Sequence, residues 1–375
     1  MTWRLHVRQC RQMPVCAAYS LLMRQERQKK FVVSCHKRHS FAYICQNRNI
    51  KNLIIMKFKL YLFLAFIASI PLIACGCSNK NMAVANTGVK LHDNFKNSDS
   101  GIIKKTLPLK NFHGINVASY AQVYYTQGSE YKVVFEGRES VWKGLSFDVH
   151  GGILVVGFSK DTCINSFNSS SCNLYITAPN IDQLHTSGFL TFYAKSLKTH
   201  ILAVCNNGNM DLFIDKLKAD SYSIINNGFM TNNGIFEVDK FAMINYAEYK
   251  SKSDLKASYD MNLNNNGSVD ISGGIDARNI YWNSTAIDNC KVDIKAKNAD
   301  FNISGSGQID GKFNGDIISV ECNGEAKINM GVDCRSVSAC VNGEGSITLS
   351  GTADKTDIYG KGVSRVDTSR LNNFD

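Results

Sequence analysis

The chain has 375 residues, with 42 Lys and Arg against 32 Asp and Glu, and a formal charge of +10. That excess is local: residues 1–55 hold 11 basic residues and one Glu, residues 56–74 add two Lys, and the remainder carries 29 basic against 31 acidic residues. A basic face large enough for nucleic acid is therefore not expected in the body of the protein.

Residues 1–55 have no hydrophobic periodicity and read as an upstream extension ahead of the true start, expected to be disordered and left out of the fold. Met56-Lys57-Phe58-Lys59 then opens a short positive region ahead of the apolar run Leu60 to Ile73. The run is too short to span a bilayer and suits the core of a signal peptide, residues 56–74. Leu72-Ile73-Ala74-Cys75 is similar to a bacterial lipobox, which makes Cys75 the expected lipidation site and first residue of the mature chain. Residues 75–101 are rich in Asn, Ser and Lys and poor in large apolar side chains, so they cannot offset their own ordering entropy and read as a tether. The sequence Cys77-Ser78-Asn79-Lys80-Asn81 lacks the acidic run that often follows the lipidated cysteine in surface-exported lipoproteins of the Bacteroidetes type. The expected place is the cell envelope, with a lipid anchor in the outer membrane and the protein on its periplasmic face.

Residues 102–178 alternate apolar and polar positions in short runs broken by Gln127-Gly128-Ser129 and His150-Gly151-Gly152, where glycine supplies positive φ. They are expected to form a small antiparallel β cap over the open end of a stack of strands that begins at residue 179.

From residue 179 a small-residue corner returns at nearly constant spacing. Thr186-Ser187-Gly188, Asn206-Asn207-Gly208, Asn226-Asn227-Gly228, Asn245-Tyr246-Ala247, Asn265-Asn266-Gly267, Ser284-Thr285-Ala286, Ile303-Ser304-Gly305, Cys322-Asn323-Gly324, Val341-Asn342-Gly343 and Ile358-Tyr359-Gly360 are separated by 20, 20, 19, 20, 19, 19, 19, 19 and 17 residues. Such a period marks a stacked repeat. Four residues before the corner stand Leu184, Val204, Ile224, Met243, Leu263, Trp282, Phe301, Val320 and Ala339; six before it stand Leu202, Tyr222, Phe241, Met261, Ile280, Ala299, Ile318 and Val337. Apolar residues two apart have strand periodicity, and no window is helical. The fold class is all-β: a single-chain, parallel β-helix-like solenoid of about ten 19–20-residue coils over residues 179–375, ending in its own C-terminal cap. Leucine-rich repeats share the period but need an L-x-x-L-x-L run, which is absent.

Asn206, Asn226, Asn245 and Asn265 share one place at the corner. Asparagine tolerates turn geometry and can bond the equivalent amide one rung away, so these four are expected to form a structural ladder rather than a ligand site.

Phe112-His113-Gly114-Ile115-Asn116-Val117, with Ala121-Gln122-Val123, Thr126-Gln127-Gly128 and Val133 to Gly137, resembles the opening of the auto-transporter adhesin "head GIN" domain family, and Ser304-Gly305-Ser306-Gly307 resembles its downstream Ser-Gly pattern. The resemblance covers residues 105 to 365. It implies an exported β-solenoid protein, frequently a lipoprotein, with an adhesin role and no catalytic residues to carry over.

Cys163 and Cys172 flank a turn that could close as a disulfide in an oxidising compartment, while Cys205, Cys290, Cys322, Cys334 and Cys340 fall in the coil pattern and read as small hydrophobes. No spacing suggests zinc, and neither a metal nor a cofactor is expected. A β-helix can also carry a polysaccharide lyase or hydrolase, which needs carboxylates on adjacent rungs. Three residues past the corner, only Asp211 and Asp270 are acidic, with two rungs between them, about 14 Å. The expected function is non-catalytic: a binding or surface-organising module meeting a glycan or protein ligand, with Phe189, Tyr193, Phe229, Tyr246, Tyr249 and Tyr281 as candidate contact aromatics and the lyase or hydrolase as the alternative.

Overall fold

The structure, a computed structural model, describes residues 101–159, 172–360 and 365–373. All of them belong to one unit, Phe95–Asp375. The anchor region around Cys75, Cys163 and the residues before 101 lie outside the described residues.

The repeat is a parallel β-solenoid of about 10 turns. Its long strands are β9 (Phe189–Asn206), β10 (Asn209–Asn226), β11 (Phe229–Asn245), β12 (Glu248–Asn265), β13 (Ser268–Ser284), β14 (Ile287–Ile303), β15 (Ser306–Cys322), β16 (Lys327–Val341) and β17 (Ser346–Gly360), closed by β18 (Arg365–Asn373). Each pairs in parallel with the next, and the register follows the sequence period: Ile224 lies beside Val204 and Met243, and Phe301 beside Trp282 and Val320. Both apolar columns are buried along the stack and form one continuous core. The ladder between β9 and β10 breaks at Lys195/Asp215 and at His200/Asp220, which divides the coil into three straight segments.

Corners stack as tightly as strands. The Asn227 N–H donates to the Asn206 carbonyl at 2.7 Å, and Asn266 does the same to Asn245 at 2.8 Å. At Gly305 a Cβ would run into the Ala286 carbonyl one rung away, so the close approach of the two backbones explains the glycine there.

The N-terminal part holds the expected small antiparallel strands and adds a coil to the solenoid as well. Antiparallel strands are present, with β1 (Ile102–Leu107) against β4 (Lys132–Arg138), β4 against β7 (Cys172–Ala178), and β5 (Leu145–His150) against β6 (Ile153–Phe158). Yet β2 (Gly114–Val117) and β3 (Tyr120–Gln127) already form a coil of the solenoid: β2 pairs in parallel with β6 and β8 (Gln183–Thr186), and β3 with β7 and β9. Coils here interleave, with β6 and β7 stacked above β2 and β3, and β8 and β9 below. A short helix α1 (Glu139–Gly144), which no periodicity announced, joins β4 to β5.

Candidate binding surface

The interior of the corner is closed by the asparagines. Asn206 Nδ2 donates to Asn226 Oδ1 at 2.7 Å, Asn226 to Asn245 at 2.7 Å and Asn245 to Asn265 at 2.8 Å, and all four are buried. Each Nδ2 also reaches a backbone carbonyl of the next rung, as Asn206 does to Phe229 at 2.8 Å, and each Oδ1 accepts the N–H two residues on, as from Gly208 at 3.0 Å. Both hydrogens of every Nδ2 are used and every Oδ1 accepts at least one bond, so these buried side chains serve the stack rather than a ligand. The row ends on Asp288, wholly buried, whose Oδ1 accepts from Asn265 at 3.2 Å and from Trp282 Nε1 at 3.4 Å, while its Oδ2 has no partner. Burial pushes the Asp288 carboxyl above its ordinary range despite the bonds from Ser284, Trp282 and Asn265.

The candidate contact aromatics divide. Tyr249 is a correction: it points inward, and its hydroxyl accepts from Asn232 Nδ2 at 2.8 Å. Its place two residues past the corner puts it in the inward column of Met230 and Val269, and Asn232, itself buried and bonded to the Tyr222 hydroxyl at 3.1 Å, gives its polar tip a partner. Burial pushes the Tyr249 hydroxyl up to about 12. Tyr281 is half-buried, in register between Asn262 and Asp300. Phe189, Tyr193, Phe229 and Tyr246 face solvent.

Two of those exposed rings belong to stacks. Tyr175, Tyr124, Tyr193 and Phe213 stand one above another across four strands, with centroids 5.1, 5.1 and 5.2 Å apart and ring planes within 17° of parallel. Phe189 stacks on Tyr120 at 4.5 Å. Rings stacked this way cover each other's faces, and Lys104 sits over the Tyr175 ring at the upper end of the row. A sugar packs on a ring face, so Tyr193, with a ring on each side, offers no platform, while Phe189 is covered by a ring on one face only. Phe229 and Tyr246 are in no ring pair among the described residues and keep open faces, at 60% and 55% exposure.

Asp211 and Asp270 both point outward, with Thr231 and Lys250 between them in register. Among the described residues no three His, Cys, Asp or Glu side chains converge. Cys172 is a free thiol facing the core, pushed up to about 12 by burial; its expected partner Cys163 lies outside the described residues. Cys290, Cys322, Cys334 and Cys340 are also free, with Cys290, Cys322 and Cys334 buried.

One concave site stands out, a groove of about 760 Å³ along the second segment of the coils. It exists because the cap covers the first coil incompletely. β3 lies over residues 189–194 of β9 and β8 over 203–206, while among the described residues no strand lies over the segment between. The Gln127 carboxamide closes that edge, donating to the Lys198 carbonyl at 2.8 Å and accepting the Lys198 N–H at 2.9 Å, as a neighbouring peptide group would. Beside it Asn180 Oδ1 is buried with no partner. Along one wall Lys198, Lys218, Glu237 and Lys256 follow in register on β9 to β12. Lys216 bonds Glu237 at 3.0 Å, and that bond and charge hold the Glu237 carboxyl below its ordinary range. The other wall, at the bend, carries His200, Asp220, Asp239 and Ser258, with His200 Nδ1 2.9 Å from Asp220. Sequence reading missed this groove. The lysines do recur at the coil spacing, but Gln127 and Asn180 come from the cap, and nothing local ties them to residue 198.

A family model described as "Putative auto-transporter adhesin, head GIN domain" matches residues 111–313 and 308–374. Among solved structures the chain is similar to a "putative adhesin" from Bacteroides fragilis, at 16% identity over 71% of this chain and 96% of that one with a TM-score of 0.27. A "putative adhesin" from Parabacteroides distasonis matches at 13% identity over 72% and 98%, with a TM-score of 0.38. A "putative lipid binding protein" from the same species matches at 14% over 67% and 97%, with a TM-score of 0.37. No curated protein matches the chain. Because the family model spans both the capping strands and the coils, the chain belongs to the family "Putative auto-transporter adhesin, head GIN domain".

Proposed function

We propose that the protein is a non-catalytic adhesin-type binding module of the cell envelope, lipid-anchored through Cys75 and spaced from the membrane by residues 76–101. The observation that carries this reading is the outer surface of the solenoid. Its side chains run along the rungs as fixed rows of Asn, Thr, Lys and aromatic residues on a rigid stack, and acidic groups such as Asp211 and Asp270 are dispersed. Rows of this kind suit a repetitive partner, while acid–base chemistry needs groups brought together. Among the described residues no helix is long and apolar enough to cross a membrane.

The catalytic part is tested by incubating the protein with a panel of polysaccharides, with and without calcium. No release of reducing sugar or unsaturated uronide is expected, and turnover that disappears in Asp211→Asn or Asp270→Asn would overturn the reading. The anchor is tested by feeding an expressing Gram-negative host an alkyne fatty acid. The wild-type chain should take up the label and Cys75→Ala should not; a labelled Cys75→Ala chain refutes lipidation at that residue.

A further inference from the structure

We infer that the groove beside Gln127 binds an acidic polysaccharide running along the solenoid axis, with its acid groups on the Lys198–Lys218–Lys256 wall and its hydroxyls donating to Asn180, Asp220 and Asp239. The inference rests on the binding-module reading and gives that module a site and a ligand class.

The lysine wall carries three ammonium groups and one carboxylate, Glu237, whose charge feels both Lys218 and Lys256. Lys198 and Lys218 sit side by side on adjacent rungs, about 4.8 Å apart along the stack. No carboxylate among the described residues forms a salt bridge with Lys198, Lys218 or Lys256; the one acid in their row, Glu237, is bonded to Lys216 from outside the groove. Two like charges held in register repel each other, and an anion lying across both removes that repulsion. The wall spans four rungs, about 14 Å, so the bound group is an extended anion with repeated charges.

The opposite wall decides which polyanion fits. Asn180 Oδ1 is a buried acceptor with no donor, and a buried acceptor left unsatisfied is costly. Asp220 and Asp239 add acceptors on the same side. Every polyanion is repelled by Asp220 and Asp239, and a phosphodiester backbone or an acidic peptide has few hydroxyl donors with which to offset that repulsion. A polymer of sugar acids supplies both at each residue: a carboxylate or sulfate for the lysines and hydroxyl donors for the acceptors. The groove's volume lies in the range of small-molecule sites, enough for a short stretch of such a chain and too little for a folded protein.

The test uses the full chain in detergent, immobilised, against polygalacturonate, alginate, hyaluronan and chondroitin sulfate. Fully methyl-esterified pectin, which keeps the hydroxyls and loses the charge, and polyglutamate, which keeps the charge and lacks the hydroxyls, serve as controls. At least one acidic glycan should bind, with affinity falling as salt rises, and both controls should fail. Lys198→Glu with Lys218→Glu should weaken that binding at least tenfold, Asn180→Leu should weaken it without changing its salt dependence, and Lys291→Glu on a distant exposed site should leave it unchanged. Thermal melts of the variants establish that they are folded; if the double charge reversal does not fold, Lys198→Gln with Lys218→Gln replaces it with the same expected direction. Failure of all four acidic glycans, or equal binding of polyglutamate or of the esterified pectin, overturns the inference. A neutral glycan or a protein whose binding survives the lysine substitutions overturns the groove assignment and leaves the module reading in place, whereas turnover of any glycan removes the module reading itself.

Discussion

Phe301→Asp is expected to unfold the middle of the solenoid. Phe301 is 1% exposed, lies between Trp282 and Val320 in the inward column, and stacks on the Trp282 ring at 5.6 Å. Truncating a buried aromatic costs about 3–5 kcal/mol. The new carboxylate would have no partner in that column, which adds several kcal/mol more. Because each coil is held mainly by its two neighbours, loss of one interface releases the coils on both sides. Circular dichroism should show a lower and broader β melt, with limited proteolysis cutting within β13 to β15. Asn302→Asp, one residue along on the solvent side, serves as the control and should stay within about 0.5 kcal/mol of wild type. A cooperative melt unchanged in Phe301→Asp would show that the side chain does not point inward.

Much of that architecture was legible because a solenoid writes its register into the chain. The corner period aligned Leu184 to Ala339 and Leu202 to Val337 in two columns, and the same columns form the core. The asparagine row could be read for the same reason, since a residue that recurs at one place in each rung meets its own kind above and below. What escaped the period was everything that depends on partners far away in sequence. β2 belongs beside β8, pairing Gly114 with Gln183, yet more than 50 residues separate the end of β3 from β8, and they include β6 and β7, which stack on the other side of β2 and β3. No constant spacing survives such an insertion, so the segment read only as an antiparallel cap continuous with the first coil. The groove was hidden by the same topology, because its Gln127 and Asn180 are brought to Lys198 only by that interleaving. Tyr249 was a different failure. Aromatic size suggested a contact residue, while its column position, shared with Met230 and Val269, already placed it inside.

Asp288→Asn is expected to stabilise the protein at neutral pH, and the size of the gain should depend on pH. Asp288 follows Val269 in an inward column, where the rung above carries an apolar side chain and the rung below Gly307. Its Oδ1 takes the last bond of the asparagine row, while its Oδ2 is buried without a partner. Burial therefore favours the protonated acid and raises its pKa above the unfolded value. For an acid shifted upward, folding is unpenalised below the unfolded pKa, where both states hold the proton. As pH climbs past that value the unfolded chain ionises freely and the folded one does not, so stability falls until the folded pKa is passed. Asparagine keeps the acceptor for Asn265 and Trp282 and has no charge to bury. Its advantage should be near zero below about pH 4, the ordinary carboxylate value, and grow as the pH rises above it, because only the aspartate then carries the penalty of a buried group that the unfolded chain ionises freely. Thermal melts of both chains across pH 3 to 8 measure it. A difference between the two melting temperatures that stays constant over that range would mean that the Asp288 carboxylate is ionised and solvated, with Oδ2 reached by water inside the stack.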